Sequence, residues 1–265
     1  MKRSNRAIII AAVVSAVLLI AVCGLTVAYL VDTEVKENVI TIGRVSIDVT
    51  EGAYADTDIV AQSEVPKSPI ITNTGTKDEF VFMKISVPKD SVTLLYESDV
   101  KDENDTVIHR EGEIIEGMPK LTELFKLQTI TSGTQISGEN IDFSYHAGTD
   151  ADPNDESVYK EGWVLLSDPR EYTKSGEEYD AFIFGYNKRL YPKERTVTLF
   201  DKIRLKNFID EEAVGSTDVL VFGYGIQADE LGIPSVPEGT AQPTKEQLRQ
   251  IFEIIKGKRV MSDEE

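Results

Sequence analysis

Cysteine is almost absent from this sequence of 265 residues, and its single copy, Cys23, lies in an apolar run near the N-terminus. The rest of the chain therefore has no disulfide, no thiolate metal ligand and no thiol nucleophile. Its stability has to come from a packed core, and the chain is long enough for one large β-domain or two smaller ones.

Histidine is also scarce, with His109 and His146 as the two copies. Neither lies in an HExxH pattern or at metal-ligand spacing from a partner, so no zinc-binding motif is present. We expect both to be solvated surface side chains. No glycine-rich phosphate loop precedes a helical segment, and no spacing points to a serine nucleophile with a histidine base. The sequence therefore predicts a protein that is not an enzyme.

Basic side chains are outnumbered, with 28 Lys and Arg against 46 Asp and Glu and a formal net charge of −18. A surface of this kind repels nucleic acid and anionic lipid, and it keeps an isolated subunit soluble. We expect any self-assembly of the chain to depend on ionic strength, cations or pH.

Residues 1–28 have the layout of a secretory signal peptide. Three basic residues precede an apolar run over 7–22, in which Ser15 is the one polar residue, and small residues follow up to Ala28. Cleavage is predicted between Ala28 and Tyr29. One alternative is an uncleaved membrane anchor, because a run of this length could span a bilayer. A lipoprotein anchor at Cys23 is disfavoured because Val22 stands where a small residue is needed.

The next segment, 29–43, alternates apolar and charged side chains, which is typical of a half-buried strand. Its predicted buried anchors are Tyr29, Val31, Val35 and Val39. Such a strand could add to the open sheet edge of a neighbouring subunit as a donor strand. It could also complete the sheet of its own domain or stay unpaired in the monomer.

Short strand-like segments separated by turn signals fill residues 44–230, without the spacing of parallel βαβ units. This pattern predicts an all-β fold, an antiparallel sandwich. We expect 69–74 and 79–87 to form a hairpin-like pair and 119–127 to form a short helix within an inserted region at about 99–175. Two glycines in the strand at 218–227 predict a bulge or a close backbone approach.

Residues 231–265 begin as a linker rich in proline and glycine and continue as an amphipathic helix. Thr244 and Gln247 form a capping-box pattern at its start. Apolar residues from Leu248 to Ile255 follow at helical spacing. We expect this helix to dock on its own domain, with recruitment of a partner as the alternative.

One acidic stretch has a calcium-loop pattern, with oxygen-bearing side chains at alternate positions. These are Asp150, Asp152, Asn154 and Glu156, followed by Glu161 at the twelfth position. Against calcium, Asp155 stands where such loops need a glycine, Pro153 interrupts the pattern and no helices flank it. A solvated acidic loop is the preferred interpretation, and calcium is the one cofactor candidate.

Three stretches of the sequence carry a family resemblance. They are Ala28 to Glu51, with an Ala-Tyr-apolar-x-Asp motif and the run Ile42-Gly43-x-Val45-x-Ile47-x-Val49-Thr50-Glu51; residues 65–75 with the strand 80–87; and the motifs at 191–194 and 199–203. Together they span most of residues 26–226. They resemble the family of TasA, BsaA and camelysin, exported biofilm matrix proteins that are processed by the SipW-type signal peptidase.

The resemblance implies a jelly-roll sandwich with short helical insertions, secretion to the extracellular matrix or cell surface, and processing by a SipW-type peptidase. It also implies self-assembly into biofilm fibres by donor-strand exchange of the mature N-terminal strand, together with other matrix proteins as possible partners. The membrane is involved only through the leader before cleavage.

Two alternatives to a fibre subunit stay open. Camelysin-like relatives are described as metallopeptidases, so a cell-surface metallopeptidase is one, although no zinc motif carries over to this sequence. A monomeric surface adhesion or accessory module is the other.

Overall fold

The computed structural model describes residues 39–42, 46–51, 61–130, 133–137, 142–149, 159–167, 170–174, 176–209 and 218–258. All of these belong to one unit of the chain, Asn38–Glu265. The predicted signal peptide and most of the predicted donor segment lie outside the described residues, so what the sequence suggests there stays a prediction.

The described residues form many short strands and one C-terminal helix. The strands are β1 (Val39–Ile42), β2 (Ile47–Thr50), β3 (Glu64–Pro66), β4 (Ile70–Asn73), β5 (Glu79–Leu94), β6 (Val100–Lys101), β7 (Val107–His109), β8 (Lys120–Glu123), β9 (Phe125–Gln128), β10 (Thr134–Ser137), β11 (Asp142–Tyr145), β12 (Trp163–Leu165), β13 (Arg170–Lys174), β14 (Glu177–Tyr186), β15 (Lys202–Leu205), β16 (Phe208–Ile209) and β17 (Leu220–Gln227). The helix is α1 (Lys245–Lys258).

The largest sheet has the strand order β1-β17-β5-β14-β12, with β13 also on β14 and with β8 and β16 also on β5. Smaller sheets are formed by β3-β15-β9, β2-β4, β10-β11 and β6-β7. Strand β5 is central and pairs antiparallel with both β14 and β17. The prediction of an all-β, antiparallel sandwich is confirmed.

Residues 79–88 of strand β5 are buried on both faces, so apolar side chains stand on both sides of this part of the strand although polar residues interrupt them. Val81 and Met83 belong to the core between the sheets. Phe80 and Phe82 belong to a second core on the opposite face. Because successive side chains of a strand point to opposite faces, one strand contributes to both cores.

Helix α1 covers that second core. Leu248, Ile251 and Ile255 are fully buried against the sheet. The predicted capping box is present, because the Thr244 N–H donates to Gln247 Oε1 at 2.8 Å and the Gln247 N–H donates to Thr244 Oγ1 at 3.3 Å. The predicted amphipathic helix therefore exists, and it docks on its own domain.

The predicted short helix at 119–127 is wrong. Those residues form β8 and β9, which pair with β5 and β15. The apolar spacing fits a helix as well as two short strands, and pairing with the far end of the long strand β5 decides between them. In β9, Phe125 and Leu127 are buried while Lys126 is half-buried, which is the alternation of a strand.

The predicted hairpin between 69–74 and 79–87 is also wrong, although both segments are strands. Strand β4 pairs with β2, whereas β5 lies in the main sheet. The turn between them passes the chain from one sheet to the other. It is held by Asn73, whose Nδ2 donates to the carbonyls of Lys77 at 2.8 Å and Leu190 at 3.0 Å.

The close backbone approach predicted for the glycine-containing strand occurs at Gly223. A Cβ atom placed there would lie 2.4 Å from Val49 Cγ2 and 3.3 Å from Ile47 Cδ1, both on β2. Glycine therefore sets the distance between β17 and β2.

We expect Gly223→Ala to destabilise the fold by about 1–3 kcal/mol, because Val49 is stiff at χ1 and the two sheets would have to separate. Urea unfolding followed by circular dichroism measures this change. Gly257→Ala is the matched control, since a Cβ at that helical position meets nothing within 4 Å. Equal stability of the two variants would contradict the role of Gly223.

Candidate assembly edge

Strand β1 forms one end of the main sheet and is joined to it in a way unlike the other strands. It pairs parallel with β17, with Val39 opposite Gly223 and Thr41 opposite Gly225. Every other ladder between described strands is antiparallel. The N-terminal strand is thus an addition to the sheet edge that the rest of the domain provides.

The edge that receives β1 is the free side of β17, whose other side pairs with β5. An uncovered β17 would present a row of unpaired backbone N–H and C=O groups over Gly223–Ile226, which is a template for any added strand. Without β1, another strand could take its place there.

Ser46 fixes the point at which the chain enters the body of the domain. Its carbonyl accepts from the N–H groups of Thr74 at 2.8 Å and Gly75 at 2.9 Å. Its own N–H donates to Glu79 Oε1 at 3.2 Å, and its hydroxyl contacts Thr74 Oγ1 at 2.8 Å. These hydrogen bonds hold Ser46 in place in the body of the domain. The chain toward the N-terminus leaves the domain from this fixed residue.

Glu79, at the start of β5, is a fully buried carboxyl beside Ser46. Its Oε2 atom is buried without a hydrogen-bond partner among the described residues. Burial raises the pKa of Glu79 to about 8, and the Ser46 N–H offsets only part of that effect. The side chain is therefore largely protonated at neutral pH. The sequence gives no signal for this, because a glutamate at a strand end is expected in solvent.

The predicted donor residues are only partly within the described chain. Val39 begins β1 and thus lies in a strand, on the sheet of its own domain. Tyr29, Val31 and Val35 lie outside the described residues, as do both sides of the predicted cleavage site at Ala28. Residues Val39–Ile42 therefore pair with the sheet of their own chain in this structure.

One residue of the predicted calcium loop lies within the part of the chain that the structure describes. Asp150, Asp152, Asn154 and Glu156 lie outside the described residues. Glu161 is described, and its carboxylate accepts from the Tyr186 hydroxyl and contacts Lys188 Nζ at 3.2 Å. Both oxygens of this side chain therefore already have protein partners.

The two histidines each contact a carboxylate. His109 stacks on Tyr96 with ring centroids 4.5 Å apart, and its Nδ1 lies 3.8 Å from a Glu113 oxygen. His146 Nε2 lies 2.9 Å from Asp201 Oδ2 and is only 22% exposed, so the prediction of a solvated side chain is wrong for it. In the part of the chain that the structure describes, no group of three His, Cys, Asp or Glu side chains could hold a metal ion.

The described residues also contain no helix that is long and apolar enough to cross a membrane. Comparisons of the chain with protein-family models, with curated proteins and with solved structures found no significant match in any of the three.

Proposed function

We propose that this chain is an exported structural subunit that assembles into extracellular fibres by exchange of its N-terminal strand. The observation that carries the proposal is β1, an N-terminal strand added in parallel to the open edge of β17. When the same strand adds to the β17 edge of a second copy, the contact is heterologous and does not close, so it propagates as a fibre.

The charge of the chain sets the conditions for assembly, and the family resemblance supports it. The chain is strongly acidic, with a net charge of −18, so copies repel one another and added salt lowers that repulsion. The family resemblance of the leader and of the first strands points to the same class of protein. Fibre growth is accordingly expected to increase with ionic strength.

A second candidate is a monomeric cell-surface module. The observation that favours it is that β1 already covers the β17 edge of its own chain. In that case the strand protects the edge from pairing with other copies.

Three chains separate these candidates: one starting at Tyr29, one starting at Gly43, and the Tyr29 chain carrying Ile40→Pro and Thr41→Pro. Adjacent prolines remove backbone donors from β1 whichever side they face. We expect fibres in negative-stain microscopy from the first chain and monomers from the other two. Circular dichroism confirms that all three are folded.

A peptide of residues 29–42 adds a test in trans. We expect it to bind the Gly43 chain and to stop fibre growth of the Tyr29 chain, because it occupies the acceptor edge. Fibres from the Gly43 chain would remove the strand from the mechanism. Monomers from the Tyr29 chain at every salt concentration and pH would favour the surface module.

A further inference from the structure

A cluster of four charged side chains is buried where β5, β8 and β14 meet. Lys89 Nζ lies 3.3 Å from Asp180 Oδ1, and each of these side chains is 8% exposed. Lys206 Nζ lies 3.5 Å from Glu123 Oε2, with side-chain exposures of 7% and 3%. Among the ion pairs of described residues, these are the two in which both partners are so deeply buried.

Strand register places these groups on one face. Lys89 is opposite Glu123 on β8. Asp180 on β14 is opposite Val87, two residues before Lys89. Since alternate residues of a strand share a face, the lysine and the two carboxyls converge from three neighbouring strands.

Asp180 lies beside a second carboxyl. Burial and contact with the Glu123 carboxyl together raise the pKa of Asp180 to about 6, against the pull of Lys89. An acid with a pKa near neutrality is present in part as the neutral carboxylic acid, which is the form that an amine can attack. Glu123, which pairs with Lys206, is placed beside this carboxyl to accept and return a proton.

Lys89 has a base beside it. Its Nζ donates to Glu171 Oε1 at 2.6 Å, and this carboxylate is 77% exposed. Burial alone would lower the pKa of Lys89, but its contacts with Glu171 and Asp180 outweigh burial and raise it. The resting side chain is thus an ammonium, and Glu171 is placed to accept a proton from it.

We propose that Lys89 and Asp180 condense into an intramolecular isopeptide bond, with Glu171 as the general base and Glu123 as the proton shuttle. Glu171 takes one proton from the ammonium and releases it to solvent, and the freed amine attacks Cγ of the protonated Asp180 carboxyl. Glu123 takes the second proton from nitrogen and passes it to the departing hydroxyl, which leaves as water. Ammonium and carboxylic acid thus become amide, water and one proton released to solvent, with no oxidant, reductant or co-reactant.

Condensation also lowers the number of buried ionisable groups. It removes the charge of Lys89 and the titratable carboxyl of Asp180, and it leaves the Lys206–Glu123 pair within the cluster. Burying fewer ions lowers the cost of desolvation. The bond ties β5 to β14, the two central strands of the main sheet, in a chain whose one cysteine lies in the predicted leader.

Mass spectrometry of the purified full chain tests this inference. We expect the intact mass to be lower than the sequence mass by one water molecule, and we expect a protease digest to contain a branched peptide joining Lys89 to Asp180. Lys101 and Asp105 form an internal control, because their ion pair is closer, at 2.8 Å, but its side chains are 47% and 82% exposed. That pair should remain unlinked.

Two variants extend the test. Lys89→Arg keeps the positive charge but has no attacking amine, and Glu123→Gln removes the proton shuttle. Both should show the full sequence mass, with a folded circular dichroism spectrum. A wild-type chain at its full mass overturns the proposal. Loss of water at any other site, including the Lys206–Glu123 pair or an aspartyl succinimide, overturns it as well.

Discussion

Raising the pH from 4.5 to 8 is expected to destabilise this protein through Glu79 alone by on the order of 3–5 kcal/mol. The pKa of the buried carboxyl is about 8 in the fold, against an ordinary value of 4.5. The folded state keeps a proton that the unfolded state releases, so stability is full below pH 4.5, falls as the pH rises to 8, and falls no further above it. Each pKa unit corresponds to about 1.4 kcal/mol.

Thermal unfolding of the wild type and Glu79→Gln across this pH range measures the effect. The amide keeps the acceptor for the Ser46 N–H but does not titrate. We expect the wild type to lose on the order of 10 °C in Tm relative to the variant between pH 4.5 and 8. The difference between the two proteins cancels contributions from other groups, such as Asp180, whose pKa is also raised.

Glu178→Gln is the matched control, because Glu178 is an exposed glutamate on the same sheet. This variant should follow the pH profile of the wild type. If the wild type and Glu79→Gln lose stability in parallel, then Glu79 is ionised in the fold at neutral pH and the assignment fails.

Trp163→Ala is expected to lower the free energy of unfolding by about 3–5 kcal/mol. Trp163 is fully buried in β12, and its ring packs on Tyr186 with centroids 5.1 Å apart. Its Nε1–H donates to the Val197 carbonyl at 3.0 Å. Truncation therefore leaves a large cavity and removes a hydrogen bond at the edge of the main sheet farthest from β1.

Urea unfolding followed by circular dichroism tests this, since the variant has no tryptophan to report fluorescence. Trp163→Phe should cost less, about 1–3 kcal/mol, because the ring is mostly replaced while the Val197 carbonyl loses its donor. Ile130→Ala is the control, because Ile130 is 78% exposed and its truncation should change stability by less than about 0.5 kcal/mol. A Trp163→Ala variant as stable as this control would contradict the packing described here.

The sequence predicted the elements that a local pattern defines. The segments of β5 and β14 are rich in apolar and aromatic residues, and the capping box at Thr244 marks the start of α1. Periodicity and caps are local signals, so a single sequence contains them. The short apolar segment at 119–127 fits the period of a helix and that of a strand equally well. The strand with which it pairs is remote in the sequence, so no local pattern decides between the two.

The buried acids could not be predicted in the same way. Glu79 and Asp180 stand in strands rich in apolar residues, but an acidic side chain is by default expected in solvent. Their burial follows from strand register, which places Asp180 beside Lys89 and Glu79 beside Ser46. Register is a property of pairs of strands, so it cannot be derived from either strand alone.

The pairing of β1 with β17 joins the first and last strands of the described sheet. A chain is synthesised from its N-terminus, so β1 is complete long before its partner edge exists. Closing so long a loop is slow, because its entropy has to be lost before the contact forms. Under the proposed strand exchange, a folded copy whose own β1 has left its β17 edge offers a finished acceptor during this interval. The order in which the strands are made would then favour joining a neighbour over closing on itself.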